Sequence, residues 1–154
     1  MKKILLLLTI IFLSACETTK TAAPTANMIE LNGTAIEVQN FIELNKSEII
    51  GKYSDKFKLI TANDRSISFE AECADVKTVG FIKCAGILLA VGNSGWDGPF
   101  LTISFRTNEI RDKTTVRSTY QWCAVNLIGK QNCGLESIPL ANDLLKKIET
   151  NFGT

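Results

Sequence analysis

Apolar and polar residues alternate along three segments of the chain, 66–73, 100–107 and 115–128. Because successive side chains of a strand point to opposite faces, each segment predicts a strand with one buried face. Segment 87–91 is apolar at every position and predicts a central strand, while segment 56–62 predicts a fifth strand by a weaker pattern. The apolar face of the first segment consists of Ile67, Phe69, Ala71 and Cys73.

Near the C terminus the apolar residues instead follow a helical spacing. Ser137 and Pro139 mark the start of this predicted helix, and Gly153 marks its end. Its apolar stripe recurs at i, i+3, i+4, i+7 and i+11, at Ala141, Leu144, Leu145, Ile148 and Phe152. A helix with one apolar stripe needs an apolar partner surface, which the half-buried strands would provide.

Two interpretations are open near the start of this region. Asn32 followed by Gly33 lies between apolar residues and is a strong hairpin signal. Thr34 followed three residues later by Glu37 matches a capping box, and apolar residues then recur at helical spacing. We favour a helix over 34–51, which either runs unbroken or breaks near residues 45–47.

Together these elements predict an α+β fold. We expect one two-layer domain over residues 28–154, in which a mainly antiparallel sheet of about five strands is packed by an N-terminal and a C-terminal helix. The 154-residue length and the 45% hydrophobic content are those of a chain with a single globular core.

The first fifteen residues differ from the rest, because eleven are apolar, two are lysines and none is acidic. Their apolar run over 4–13 would rise about 15 Å as a helix, half of a hydrocarbon core of about 30 Å. Residues 1–15 therefore predict a signal peptide. Its last residues and the next one, Leu13-Ser14-Ala15-Cys16, resemble the lipobox of bacterial lipoproteins.

That resemblance covers residues 1–16 and implies that Cys16 is the lipid attachment site. In this family the thiol receives a diacylglyceryl group, signal peptidase II cuts before it, and the new amino terminus is usually acylated, with palmitate as a typical chain. Each buried methylene contributes about 0.8 kcal/mol, so a single acyl chain binds a protein to the membrane only weakly, whereas two or three chains keep it stably bound. The alternative is an incidental thiol that follows an ordinary signal peptide.

Residues 16–27 are predicted to be the lipidated cysteine and a flexible tether. The stretch 17–27 has four Thr, three Ala and one Pro and no large apolar side chain, and as a coil it would span about 17 to 20 Å on average. Glu17 stands where many enteric-type lipoproteins that stay in the inner membrane have Asp. We therefore expect a periplasm-facing domain, at the outer membrane rather than the inner one.

Four further cysteines, an even number in a chain predicted to be exported, predict two disulfides. Their separations of 11 and 10 residues favour Cys73 with Cys84 and Cys123 with Cys133, each closing a hairpin-like excursion. The other pairings and a four-thiolate zinc site are alternatives, but zinc thiolates are usually spaced more closely. We predict no metal and no cofactor.

The chain contains no histidine, which excludes Ser-His-Asp and Cys-His catalysis. Without the two lysines of residues 1–15, 15 basic and 16 acidic residues remain, a balance that argues against nucleic acid as a partner. Glu70 and Glu72 share a strand face and could form a carboxylate pair, although solvated acids are the favoured interpretation. Tyr120 and Trp122 could form a binding strip, although core positions are favoured.

Segment 92–99 combines three glycines with Trp96 and Asp97, and it is a candidate partner-binding loop. The alternative is a hairpin connection whose Trp folds back on the sheet. Our leading hypothesis is a non-enzymatic binding or scaffold module, held at the membrane by its N-terminal lipid and directed at an envelope protein or glycan. One alternative is an inhibitor or immunity lipoprotein whose Trp96 loop blocks a toxin or an envelope hydrolase. Another is a carboxylate-dependent cell-wall hydrolase.

Overall fold

Six strands and four helices lie within residues 28–91, 97–125 and 128–153, which the computed structural model describes. The strands are β1 (Met28–Asn32), β2 (Lys58–Asn63), β3 (Ser66–Glu72), β4 (Asp97–Ile110), β5 (Lys113–Val125) and β6 (Gln131–Gly134). The helices are α1 (Ala35–Leu44), α2 (Lys46–Ile49), α3 (Phe81–Ala90) and α4 (Ile138–Asn151). A short 3-10 helix over Cys73–Asp75 follows β3.

All strand pairs in the single sheet are antiparallel, in the order β1-β5-β4-β3-β2. β4 and β5 form a long hairpin whose turn residues, Arg111 and Asp112, both have positive φ, as the two-residue turn of a twisted hairpin requires. β1 pairs with the first half of β5, and β6 pairs with its second half. Between them, the backbone N–H of Ser137 donates to the carbonyl of Tyr120.

Helices α1 and α4 pack on one face of the sheet. The hydroxyl of Ser118 on β5 donates to the carbonyl of Ala141 on α4 at 2.6 Å, and the amide of Gln39 on α1 donates to Thr107 on β4 at 2.8 Å. The core between these layers is apolar, so its burial supplies most of the driving force for folding. Its largest fully buried side chains are Phe69, Phe105, Ile42, Ile49, Ile50, Ile67, Leu101, Ile103, Leu144, Leu145, Ile148 and Val38.

The predicted α+β class is confirmed, and so are the strands expected from alternation and the C-terminal helix. Near Asn32 the favoured helix forms, preceded by a strand, and the alternative hairpin does not. The residues before Gly33 form β1, and α1 then begins with the predicted capping box: Glu37 N–H donates to Thr34 Oγ1 at 3.3 Å, and Thr34 N–H donates to Glu37 Oε2 at 2.8 Å. The helical region breaks at Asn45, which separates α1 from α2.

The central strand predicted over 87–91 is wrong, because these residues end α3. A short run that is apolar at every position has no period, so it is compatible with a strand or a helix. In the structure Cys84, Ile87, Leu88 and Val91 recur at helical spacing and face the core. The helix layer therefore contains one substantial helix more than expected.

Candidate functional site

The face of the sheet away from α1 and α4 is lined by hydroxyl and charged side chains, because the residues between core positions point there. Cross-strand pairing aligns these side chains in rows. We call this surface the open face and define it by two central rows, Ser68, Ser104 and Thr119 in one, and Lys58, Glu70, Thr102 and Gln121 in the other.

The two rows differ in how well their hydroxyl groups are satisfied. Ser68 Oγ donates to Ser104 Oγ at 2.8 Å across the β3–β4 pair. Thr102, only 5% exposed, has no hydrogen-bond partner for its buried Oγ1 atom. A buried polar group without a partner costs about 1 to 3 kcal/mol, so Thr102 is an energetically unfavourable position on the open face.

Glu70 lies directly opposite Thr102 and lines a cavity of about 120 Å³ at the β2 side of the open face. We call this cavity the Glu70 cleft; it is lined by Lys56, Lys58, Glu70, Ala71, Glu72, Asp75 and Phe100. Burial raises the pKa of Glu70, the nearby Lys58 ammonium opposes this shift, and the Glu72 carboxylate adds to it.

A second pair of charges lies at the rim of the Glu70 cleft. Lys56 Nζ contacts Asp75 Oδ1 at 2.6 Å, and this hydrogen bond raises the pKa of Lys56. The cleft therefore offers both acceptors and donors beside the Phe100 ring. Such a mixed lining suits a ligand rich in hydroxyl and amide groups, in which donors and acceptors alternate.

A larger cavity of about 300 Å³ lies beside α4 and is lined in part by Lys52, Asp143 and Lys147. Lys52, Asp143 and Lys147 already have partners within the chain. Lys52 Nζ is 3.6 Å from Asp143 Oδ2, and Lys147 Nζ donates to the carbonyl of Glu48 at 2.8 Å, which satisfies a backbone group at the end of α2. We therefore take the Glu70 cleft as the better candidate site.

The structure joins the four cysteines in the pairs that their separations favour. The Cα atoms are 5.8 Å apart in Cys73–Cys84 and 4.0 Å apart in Cys123–Cys133. Cys123 and Cys133 close a β-hairpin as expected, because they are opposite one another on β5 and β6. The excursion from Cys73 to Cys84 is not hairpin-like, since it ends inside α3. With all four sulfurs in disulfides, the zinc alternative is wrong.

The aromatic pair on β5 belongs to the core and not to a binding strip. Tyr120 and Trp122 are 4% and 7% exposed, and the Tyr120 ring packs edge-on against Tyr53 at 5.2 Å between centroids. Burial raises the pKa of Tyr120 to about 12. The favoured interpretation of these two residues is therefore confirmed.

Several predicted features lie outside the described residues: the signal peptide 1–15, Cys16, the tether and Trp96. Asp97 begins β4, but its side chain also lies outside that part. Glu70 and Glu72 line one cleft, as their shared strand face predicts. Lys58 and Thr102 could not be placed beside Glu70 from the sequence, because only the register of β2, β3 and β4 brings them there. Lys56 lies before β2 and reaches the cleft through its contact with Asp75.

No family model matches this chain, and no curated protein or solved structure shows significant similarity to it. Of the helices in the described segments, none has the length and apolarity needed to cross a bilayer.

Proposed function

We propose that this chain is a lipid-anchored cell-envelope lipoprotein whose domain is a non-enzymatic binding module. The observation that carries the proposal is the sequence Leu13-Ser14-Ala15-Cys16, followed by a polar tether. β1 begins at Met28, so the proposed tether over 17–27 would connect the lipid directly to the sheet. We place the domain in the periplasm, at the outer membrane.

The two disulfides support export from the cytosol. Disulfides persist in oxidising compartments such as the bacterial periplasm and are rare in the cytosol, where thiols are kept reduced. Cys73–Cys84 fixes the start of the α3 region to the end of β3, and Cys123–Cys133 holds the short β6 on β5. Both covalent links stabilise elements at the same end of the sheet.

The open face supports a binding role for the domain. Its hydroxyl rows and the Glu70 cleft present donors and acceptors on rigid strands, which hold a ligand-binding geometry better than loops do. A glycan or an envelope protein could pair with Lys58 and Glu70, which line the cleft. Anchoring would raise the effective concentration of this face near such a partner.

The anchoring claim is tested by replacing Cys16 with Ser in the full-length chain. We expect the precursor to accumulate unprocessed and to lose incorporation of a fatty-acid probe, whereas Thr18→Ser in the tether should mature normally. Globomycin should block maturation of the wild type, because it inhibits signal peptidase II. Normal maturation of the Cys16→Ser protein would contradict lipid attachment at this position.

The binding claim is tested by capture from envelope extract with the mature, lipidated protein. The double variant Lys58→Ala and Glu70→Ala removes one charge of each sign from the cleft. The matched control, Lys146→Ala and Glu149→Ala, makes the same change on α4. We expect a protein or glycan that wild type and control capture and the cleft variant loses. Equal capture by all three would contradict a role for the open face.

A further inference from the structure

Helix α3 is apolar on two sides, but only one side is buried by the domain. Its inner side packs on the core through Cys84, Ile87 and Leu88, and Val91 follows on the same side. The opposite side, which we call the outer face of α3, consists of Ile82, Ala85, Gly86, Leu89 and Ala90, all of them exposed. Surface helices normally carry polar residues on the side away from the core.

The exposure of this face is pronounced. Ile82 is 87% exposed and Leu89 is 79% exposed, one helical turn on either side of Ala85 and Gly86. The disulfide to Cys73 holds the helix in this orientation, so the face cannot turn inward while Cys84 is oxidised. A Cβ at Gly86 would meet no atom within 4 Å, so packing inside the domain does not require glycine there. These features make the outer face of α3 a candidate contact surface.

The N-terminal end of β1 points toward the end of the sheet that carries β6 and the end of α3. In the β1–β5 pair, Asn32 is opposite Lys113 and Met28 is opposite Arg117, so Met28 is the end of β1 that lies nearer to the finish of β5. β6 lies at that end, and the side chain of Asn132 on β6 donates to the carbonyl of Val91 after α3 at 2.6 Å. A tether of eleven residues would span about 17 to 20 Å as a coil, so a lipid on Cys16 would hold this end of β1 close to the bilayer.

We propose that the outer face of α3 lies in the headgroup region of the bilayer that holds the lipid of Cys16; this inference rests on the proposed anchoring. α3 contains no acidic residue, so it presents no negative charge to anionic lipids. Its one charged side chain, Lys83, is exposed and long enough to reach lipid phosphates while its stem stays on the apolar surface. Ten helical residues are too short to span a membrane, and they would lie along its surface.

A second copy of the chain is a less suitable occupant. Stable protein interfaces bury about 800 Å² on each partner, far more than a face with two large side chains can supply. The membrane needs no such area, because the lipid of Cys16 already supplies the attachment. The helix then fixes only the orientation of the domain, and this would direct the remaining surface away from the bilayer.

The test uses mature lipidated protein in vesicles of phosphatidylethanolamine and phosphatidylglycerol. Leu89→Cys provides the only free thiol, because Cys16 is lipidated and the other cysteines form disulfides. Leu44→Cys on α1 is the matched control, since Leu44 is 84% exposed. Each thiol carries an environment-sensitive fluorophore, and brominated lipids quench fluorophores that enter the bilayer. We expect several-fold stronger quenching at position 89 than at position 44.

Each outcome of this test has a distinct meaning. Equal quenching at both positions in vesicle-bound protein would overturn the inference and leave the anchoring intact. A Leu89→Cys protein that forms a disulfide-linked dimer in membranes, without quenching by brominated lipid, would assign the face to a second copy and would also overturn it. Protein that does not float with vesicles and carries no fatty acid would refute the anchoring and the inference together.

Discussion

Cys123 lies directly opposite Cys133 in the ladder between β5 and β6, and a disulfide joins the two residues. Cys123 on β5 is fully buried while Cys133 on β6 is exposed, so the bond attaches the short edge strand β6 to the buried strand β5. β6 has only four residues, so the covalent bond adds to the few hydrogen bonds that its ladder with β5 can make. The stability of this end of the domain should therefore depend on oxidation.

Removing this disulfide with Cys123→Ser and Cys133→Ser should lower the free energy of unfolding. A loop of this length corresponds to about 2.7 kcal/mol in the chain-entropy model. Urea denaturation of the oxidised wild type and the double variant measures the difference. A change below about 0.5 kcal/mol, the range of ordinary surface substitutions, would mean that β6 contributes no constraint.

The capping box at the start of α1 should have a measurable effect of its own. Thr34→Ala removes the side-chain acceptor for the Glu37 N–H group and should cost about 1 kcal/mol. Glu43→Ala, an exposed change later in the same helix, is the control and should have little effect. If both variants unfold at the same urea concentration as wild type, the cap does not stabilise α1.

Thr102→Val should leave the domain as stable as wild type or make it more stable. The valine has nearly the same shape, and it replaces a buried hydroxyl that has no partner. Removing such a group avoids a desolvation cost of about 1 to 3 kcal/mol. By contrast, Ser118→Ala breaks the buried bond to the carbonyl of Ala141 and should destabilise. Thermal unfolding should show no loss for Thr102→Val and a clear loss for Ser118→Ala, and a marked loss from Thr102→Val would show that its hydroxyl is satisfied.

Glu70 should make the stability of the domain depend on pH. Burial raises the pKa of Glu70 in the folded state, so the folded protein binds the proton of this carboxyl group more tightly than the unfolded chain does. The domain therefore loses stability as the pH rises through the folded pKa of Glu70. Glu70→Gln cannot ionise and should gain stability relative to wild type from acid to neutral pH. Urea unfolding across this range measures the gain. A relative loss at neutral pH would mean that attraction to Lys58 outweighs desolvation.

Much of the fold could be predicted because its central strands bury one face only. Alternation in β3, β4 and β5 identifies core residues such as Phe69 and Ile103, and the stripe through Leu144 identifies α4. Local chemistry was equally informative at Thr34, where the capping box forms as its spacing predicts. In each case one local pattern has one structural interpretation.

The remainder could not be predicted because it depends on contacts distant in sequence. β1 and β6 are short, and each is a strand because β5 offers it an edge. Residues 87–91 predict a strand because they are apolar on both sides of the chain, and the same feature of α3 leaves Ile82 and Leu89 exposed. In the Glu70 cleft, the pairing of Lys58 and Thr102 with Glu70 follows from strand register, which alternation alone does not determine.

The most direct test of the account is intact mass spectrometry of the mature protein isolated from membranes, with sequencing of its N-terminal peptide. The account predicts a chain that starts at Cys16 and carries a diacylglyceryl group and an amide-linked fatty acid. A mature chain that starts elsewhere, or one in which Cys16 is an unmodified thiol, would contradict it.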